Sequence, residues 1–401
     1  MIGFLALLLA EAGSVRADTF EFDSINQFRK NDLGDREFPW VNQFRLDTPI
    51  KGTNLSLSLD GQAVLDAAAK ESTGDLFAAD VSYGSASLGG TFVHAGRFFL
   101  NAPEYAVPLD GVEAWFGAKR RFSFRFFGGA RRQYEVSKFT KRALFTGGEI
   151  RLMPISVTTI KAGFGYQDDL DGVHRNEVTG SVEQAIPVLW TPVLYGAASY
   201  LTNGSRLTSL RSGFELHPHS KIRVSGDVSR WNEPNDGYLW QDRIYTLFAR
   251  QDLWQEGGAV AVEVVKGFTV RGGYSYQTYD VLNGVSRNGH LGSLGASWMR
   301  GERPWLLDSD LFYDESYGGR AYGLRARLEK EFLRGWRGRA GLAVARYDKI
   351  TGSKDYAFHG GVGVNYTLAW GLKLGADAEF NTNVYQSRDF RAGMVLQYVY
   401  F

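Results

Sequence analysis

Apolar and polar residues alternate with a period of two along most of this 401-residue chain. In LKLGADAEF (372–380), every second residue is Leu, Ala or Phe, and the residues between them are Lys, Gly, Asp and Glu. Residues 55–60, 122–126 and 322–329 follow the same pattern. Because successive side chains of a strand point to opposite faces, each stretch predicts a β-strand with one apolar and one polar face. Helical spacing is not sustained beyond about two turns, so the sequence predicts an all-β fold.

Short turn signals separate these strands at intervals of about 30–36 residues, which matches one strand out, one loop and one strand back. The proposed turns lie at 49–52, 84–90, 118–120, 153–154, 187–192, 217–219, 301–304, 333–335 and 369–371. The interval from 219 to 301 needs one further turn, at Gln255–Gly258 or at Lys266–Gly267. Counting the pairs predicts about 22 strands, with 18 or 20 as alternatives, and an even number is expected.

The composition agrees with a large sheet and excludes several kinds of protein. The chain has 48 Gly for turns and close packing, and 27 Phe, 20 Tyr and 10 Trp, which favour strands. Its 45 basic and 44 acidic residues leave a net charge of +1, which does not direct it to nucleic acid. The chain contains no cysteine, which excludes disulfides, thiolate metal sites and covalent c-type haem, so no cofactor of its own is predicted.

The start of the chain is typical of an exported protein. Residues 2–10 form a short apolar core, and Val15-Arg16-Ala17 is similar to a small-residue cleavage site. We therefore expect residues 1–17 to be a signal peptide and residues 18–401 to form a single β-barrel domain.

The export signal and the uniform repeat favour a membrane barrel over a soluble β-sandwich. In lipid, every backbone polar group must be paired within the protein, so a sheet there has to close on itself. Five tryptophans lie at or beside proposed short turns, which predicts an aromatic girdle at that membrane interface. They are Trp190, Trp254, Trp305, Trp336 and Trp370. The predicted fold is a closed antiparallel transmembrane β-barrel with short periplasmic turns and longer extracellular loops.

The last strand, DFRAGMVLQYVYF (389–401), alternates in the same way and ends on Phe401. This end resembles the C-terminal signature of bacterial outer-membrane β-barrel proteins, in which a terminal aromatic residue is recognised by the barrel-insertion machinery. Phe401 matches that residue, but Val399 occupies the third place from the end, where the family usually has an aromatic. The resemblance implies the outer membrane of a Gram-negative bacterium, outer-membrane lipid and the insertion machinery as partners, and an assembly signal made of Phe401, Tyr400 and Tyr398.

The polar rows of the predicted strands carry charges of both signs, and we expect these residues to line the lumen. They are Arg121, Arg125, Glu149, Arg151, Lys161, Arg223, Asp227, Asp308, Asp310, Arg325, Arg327, Glu329, Arg339, Lys373, Asp377 and Glu379. Such a wall either selects and orients solutes or is a hydrated surface on which opposite charges pair across strands.

Two longer polar stretches, 101–110 and 231–243, are predicted to be extracellular loops. The first contains Pro103 and Pro108 and is either a stiff loop folded into the mouth of the barrel or a loop with no gating role. The second interleaves aromatic residues with amides and carboxylates, as expected for sugar stacking or for a membrane interface.

Enzymatic chemistry is not predicted. None of the six histidines lies in a metalloprotease-type pattern, and no nucleophile elbow or phosphate loop is present. His217 and His219 flank a proline with a spacing that would chelate a metal weakly, but histidines in such a turn are more often simply solvated. The sequence therefore predicts no catalytic residue and no metal site.

Two functions fit these features. The first is a porin-like channel through which small hydrophilic solutes cross a polar, charged lumen. A barrel of about 22 strands is wide enough to need a filling. The second therefore follows from a resemblance in length, repeat and modest loops to the barrel subunits of porin–cytochrome electron conduits. That resemblance implies a barrel sheath that houses a multihaem c-type cytochrome.

Overall fold

The protein is described by a computed structural model. The described residues are 19–30, 36–50, 52–66, 71–85, 90–102, 105–118, 121–135, 138–168, 174–188, 190–232, 252–280, 285–300, 305–316, 319–348, 354–368, 371–382 and 389–400. The predicted signal peptide and Phe401 lie outside them. Among the described residues, no helix is long and apolar enough to cross a bilayer.

Twenty-three strand segments form one antiparallel sheet. They are β1 (Thr19–Lys30), β2 (Arg36–Glu37), β3 (Pro39–Pro49), β4 (Leu55–Asp66), β5 (Glu71–Ser85), β6 (Thr91–Ala102), β7 (Tyr105–Phe116), β8 (Phe122–Glu135), β9 (Lys138–Leu152), β10 (Thr158–Asp168), β11 (His174–Ala185), β12 (Val193–Leu201), β13 (Arg206–His219), β14 (Ile222–Trp231), β15 (Leu253–Val265), β16 (Phe268–Asp280), β17 (Ser286–Arg300), β18 (Trp305–Ser316), β19 (Gly319–Leu333), β20 (Trp336–Asp348), β21 (Lys354–Thr367), β22 (Leu372–Thr382) and β23 (Asp389–Tyr400).

The sheet closes into a barrel of 22 strands. β2 and β3 both pair with β1 and are separated by a single residue, so together they form one barrel strand. β1 also pairs with β23, from Phe20 opposite Tyr400 to Phe28 opposite Ala392. At this seam the rings of Phe20 and Tyr398 lie 6.4 Å apart. The predicted closed all-β barrel and its number of strands are confirmed.

The two faces of the barrel differ in chemistry. One face carries a band of exposed large apolar side chains, including Phe126, Leu311 and Met394, which are 56%, 54% and 67% exposed. The alternate residues carry most of the charge. Exposing so much apolar surface to water would be unfavourable, so the apolar face is assigned to lipid and the charged face to the lumen. We call them the lipid face and the lumenal face.

Aromatic residues mark both edges of the apolar band. At the end with the short turns, Lys330 Nζ lies 3.7 Å from the ring centroid of Trp305, and the rings of Trp336 and Tyr366 lie 4.6 Å apart. At the opposite end, the Arg346 guanidinium lies over the ring of Tyr322, 5.9 Å from its centroid. A long cationic side chain beside an aromatic ring is typical of a membrane–water interface. We refer to the two ends as the turn end and the loop end.

The structure decides between the two turns proposed for the interval from 219 to 301. Lys266 and Gly267 form the turn between β15 and β16, with Gly267 at φ +80°, whereas Gln255–Gly258 lies inside β15. Consequently Trp254 lies at the loop end, opposite Arg230 and Thr278. Its assignment to the turn-end girdle was wrong because it depended on the rejected turn.

The prediction of a long loop at 101–110 was also wrong. β6 runs to Ala102 and β7 starts at Tyr105, so most of this stretch belongs to a tight hairpin in which Pro108 faces Phe99. The pairing of β7 with β8 starts one residue after Pro108, at Leu109. The missing N–H of the proline is therefore tolerated where the strand has no second neighbour. Most of the other proposed loop, 233–243, lies outside the described residues.

β6 to β8 approach one another closely at a row of glycines. Gly96 faces Gly111, which in turn faces Gly129. Gly96 has a φ of +131°, and a Cβ on Gly111 would lie 2.2 Å from the carbonyl oxygen of Gly128. Side chains cannot be accommodated at this approach, so the glycines permit a sharp corner in the wall.

On the loop-end side of this corner, the lumenal face is apolar, unlike the uniformly polar wall that the alternation predicts. The buried cluster consists of Phe98, Leu100, Leu109, Phe127 and Phe145, which are 0–6% exposed. The rings of Phe127 and Phe145 stack at 5.4 Å. These residues form the largest apolar core among the described residues.

Beside this corner, β5 and β6 are hydrogen-bonded along only part of their length. β5 and β6 pair from Ala79 opposite Arg97 down to Ser85 opposite Thr91, but residues 71–78 and 98–102 are not paired with each other. Arg97 bridges the gap at the point where the pairing stops. Its Nη1 donates to the carbonyl oxygen of Leu76 at 2.8 Å, and its Nε donates to Asp110 at 2.7 Å.

Candidate functional site

The strand registers place the charged residues singled out above in lumenal rows, opposite in phase to the exposed apolar band. Arg125 faces Glu149, Lys161 faces Arg151, and Asp227 lies between Gly213 and Gly257. Arg121 differs because it precedes β8 and lies at the turn end, where its carbonyl oxygen accepts a hydrogen bond from the N–H of Met153. The candidate functional site is therefore the lumenal wall, which the following clusters divide into regions of different charge.

The first cluster lies on β6 to β9, next to the buried apolar core. Arg125 Nε donates to Glu113 at 2.6 Å, and both residues are at least nine-tenths buried. The Arg125 and Arg151 guanidinium groups lie 5.6 Å and 5.2 Å from the centroid of the Trp115 ring. A buried guanidinium needs such a carboxylate because an unpaired charge would be very costly there.

The second cluster links four strands. Arg271 on β16 donates from Nη1 to Asp308 at 2.7 Å and from Nη2 to Asp310 at 2.8 Å, and Asp310 also accepts from Nε of Arg325 at 2.8 Å. β17 lies between Arg271 and these carboxylates, and its residue in that row is Gly295. A Cβ there would lie 2.9 Å from Arg271 Nε, so the glycine provides the space through which the arginine crosses β17.

In the third cluster, an arginine again crosses an intervening strand at a glycine. Arg339 on β20 extends over Gly363 of β21 towards Asp377 of β22, with a distance of 3.7 Å from Nη2 to Oδ1. A Cβ on Gly363 would lie 2.6 Å from Arg339 Nε. Glycines at these positions therefore let arginines pair with carboxylates two strands away, which extends the usual cross-strand pairing.

Other predicted lumenal residues pair more locally. Arg223 Nη2 lies 2.6 Å from Glu215, and Arg327 pairs with Glu329. Glu379 faces Arg391 across the β22–β23 ladder, and Arg391 Nε donates to Asp389 at 2.7 Å. The arginines of the Arg223 and Arg327 pairs are exposed to the lumen, where each pair contributes little to stability, at most about 1 kcal/mol, whereas Asp389 is buried at 2% exposure.

A pocket of about 500 Å³ opens on the wall of β19 to β23 near the turn end. Its polar lining consists of Arg337, Arg339, Lys373, Asn365, Thr367, Gln397 and Glu331, and we call it the basic pocket. Lys373 Nζ donates to Gln397 Oε1 at 3.1 Å, and Gln397 Nε2 donates to Glu21 Oε1 at 3.0 Å.

Beyond Gln397, the lumenal wall is acidic on β1 to β5. Its carboxylates are Glu21, Asp23, Asp47, Asp60 and Asp80, and Arg45 lies among them with Nε 2.8 Å from Asp47. The charges that nearly cancel over the whole chain are thus separated on the wall, with cations in the basic pocket and carboxylates on the adjacent strands.

Several of these lumenal residues were missed by the sequence analysis, notably Glu21, Glu113, Arg271 and Arg337. Arg271 shares its row with Thr269, Gly273 and Ser275 in a strand whose two rows differ little in polarity, and Arg337 lies close to a turn. These residues could have been predicted by following the alternating pattern to both ends of each strand. Their ion-pair and hydrogen-bond partners could not, because the partners depend on the register between strands.

The histidines do not form a metal centre in the described part of the chain, where no three His, Asp or Glu side chains converge. His217 lies 3.4 Å from Glu215, and His219 Nδ1 accepts from the backbone N–H of Lys221 at 3.2 Å. The pair therefore makes separate contacts at the β13–β14 turn.

Comparison with family models and with curated proteins finds no match to the chain. Solved structures do match. The siderophore receptor PirA from Pseudomonas aeruginosa is similar with a TM-score of 0.64 and 12% identity over 95% of this chain and 80% of that chain. The translocation pore of the P pilus usher PapC is similar with a TM-score of 0.53 and 9% identity over 96% of this chain and 99% of that chain. Pseudomonas aeruginosa OpdQ is similar with a TM-score of 0.50 and 10% identity over 95% of this chain and 97% of that chain.

At these identities the likeness concerns the fold, which is the porin-like β-barrel of bacterial outer-membrane proteins. The closed ladder, the apolar lipid face and the aromatic edges meet the requirements of a bilayer. The chain has the fold of an outer-membrane β-barrel.

Proposed function

We propose that the chain is a porin-like channel that lets small hydrophilic solutes cross the outer membrane. The main support is the lumenal wall, on which charged and polar residues extend from the loop end to the turn end of a closed barrel. An ion crossing lipid would lose its hydration, whereas such a wall keeps water and counter-charges beside it. The balanced pairs of the wall argue against strong exclusion of either sign over most of its length.

Conductance across a planar bilayer tests this proposal. The purified barrel should give discrete conductance steps in KCl, and liposomes containing it should swell in small sugars and amino acids but not in large oligosaccharides. A folded barrel that inserts without conducting would refute the proposal. Heat-modifiable mobility in gel electrophoresis provides the control that the protein is folded.

A second candidate is a sheath for a multihaem c-type cytochrome. The width of the barrel favours it, because 22 strands about 4.8 Å apart and tilted by about 40° give a backbone diameter of about 44 Å. Barrels of this strand number are commonly filled by a protein plug. The chain has no cysteine for haem attachment, so any haem would belong to a partner.

A visible absorption spectrum of the complex extracted from its native membrane in mild detergent separates the two candidates. Stoichiometric haem in the pure complex would support the sheath. A colourless preparation that conducts would support the channel.

A further inference from the structure

Most arginines of the lumenal wall are neutralised by a carboxylate. Arg271 and Arg325 share Asp310, and Arg223 pairs with Glu215. In such pairs the opposite charges largely cancel beyond a few ångströms, and salt screens the remainder. These parts of the wall therefore exert little attraction on a passing ion.

The basic pocket is a region in which this neutralisation is incomplete. Arg337 is exposed, and within the described chain it forms neither an ion pair nor a hydrogen bond, although Glu331 is its register partner. The hydrogen bond of Lys373 goes to the neutral amide of Gln397 rather than to a carboxylate. Arg339 is only loosely paired, at 3.7 Å from Asp377. Three cations and one carboxylate, Glu331, thus line the cavity.

The neutral lining of the pocket completes the chemistry of an anion site. Asn365, Thr367 and Gln397 supply amide and hydroxyl groups beside the cations. Guanidinium and ammonium groups bind carboxylate and phosphate oxygens by charge-assisted hydrogen bonds, and the amides and hydroxyl can donate to the remaining oxygens. The volume of about 500 Å³ suits a small solute.

We propose that the basic pocket is a binding subsite for small solutes that carry a carboxylate or phosphate group, located at the turn end of the lumen. This inference rests on the proposed channel function for its role in transport, but the binding itself does not depend on conduction. Arg337 and Lys373 are the specificity-determining residues, because among the three cations of the pocket only these two have no carboxylate at ion-pair distance in the described part of the chain. Their position makes the pocket the last contact of a solute that enters from the loop end.

Inorganic phosphate is the probe, and its binding is measured by titrating the detergent-solubilised barrel and following the broadening of the phosphate ³¹P resonance. The test variant is the double substitution Arg337→Gln with Lys373→Gln. Each removed charge at about 6 Å from the anion in a water-like medium is worth about a threefold change, so affinity should fall by about tenfold. Arg223→Gln is the matched control, since it removes an exposed lumenal cation that is already paired with Glu215, and it should change affinity less than about twofold.

Arg337→Lys keeps the charge and should bind phosphate nearly as well as the unmodified chain. Saturable broadening that is lost in the double variant and retained in Arg337→Lys and Arg223→Gln would support the subsite. Absence of binding to the unmodified barrel, or equal binding to the double variant, would overturn it.

The same proteins in planar bilayers separate this inference from the channel proposal. If the barrel conducts, millimolar phosphate should reduce the KCl conductance of the unmodified chain and have less effect on the double variant. A barrel that binds phosphate but never conducts would refute the channel and leave the subsite standing. A barrel that conducts without binding phosphate would refute the subsite and leave the channel proposal standing.

Discussion

A substitution to arginine on the lipid face should cost a free energy that depends on its depth in the bilayer, and Leu342 is the best position for testing this. Leu342 is 40% exposed and faces Ala326 and Gly360 on its neighbouring strands. With a rise of about 3.4 Å per residue and a tilt of about 40°, each residue climbs about 2.6 Å along the barrel axis. Leu342 is then about 16 Å from Trp336 at the turn end and about 10 Å from Arg346 at the loop end, close to the midplane.

Leu342→Arg should therefore destabilise the folded barrel by about 2–4 kcal/mol. Leu374 provides the matched control, since it faces Tyr366, whose ring lies 4.6 Å from that of Trp336 in the turn-end girdle. There the arginine can reach the interface, and Leu374→Arg should cost only about 0–1 kcal/mol. Leu324, two residues from Tyr322 near the loop end, should give an intermediate value.

The assay is reversible unfolding in urea from lipid vesicles, followed by tryptophan fluorescence. The slope of free energy against urea should be the same for all variants, so that the midpoints report stability. Equal costs at Leu342 and Leu374, or a larger cost at Leu374, would refute the assignment of the membrane midplane.

Three further predictions follow from other parts of the barrel. Deleting Phe401 should lower the amount of protein in the outer membrane while leaving export across the inner membrane intact, as cell fractionation would show; unchanged levels would contradict the assembly signal. Gly111→Ala should destabilise the barrel by about 1–3 kcal/mol, because its Cβ would lie 2.2 Å from the Gly128 carbonyl oxygen, whereas Gly341→Ala, with open space at that position, should be nearly neutral in the same urea assay. Backbone amides in 71–78 that point towards β6 should exchange with deuterium faster than those that bond to β4, and equal protection would show that the gap is closed in solution.

The architecture was predictable because it depends on a pattern that each strand carries by itself. A strand between lipid and water must alternate, and the alternation in 372–380 or 322–329 needs no knowledge of its neighbours. The turns were also local, and Lys266–Gly267 has the glycine at positive φ that such a turn favours. The number of strands then followed from counting.

The details of the wall were not predictable because they depend on neighbours far away in the sequence. Arg271 finds its carboxylates two strands away only because Gly295 leaves a gap, and a single sequence does not give the register that aligns them. The buried apolar corner around Phe127 depends on close approach of glycines from three strands. Pro108 was read as a loop residue, although the lack of a second neighbouring strand lets it lie in a hairpin.

The seam between β1 and β23 determines the order of events when this protein is made. Glu21 and Gln397 are hydrogen-bonded although 376 residues separate them in the chain. The edge of β1 at this seam therefore stays unpaired during synthesis until β23 has been made. Contacts between such distant segments form slowly, and an uncovered strand edge recruits other chains. Closure of the barrel is therefore a late step of folding, and we expect the unpaired edge of β1 to be prone to pairing with other chains before that step.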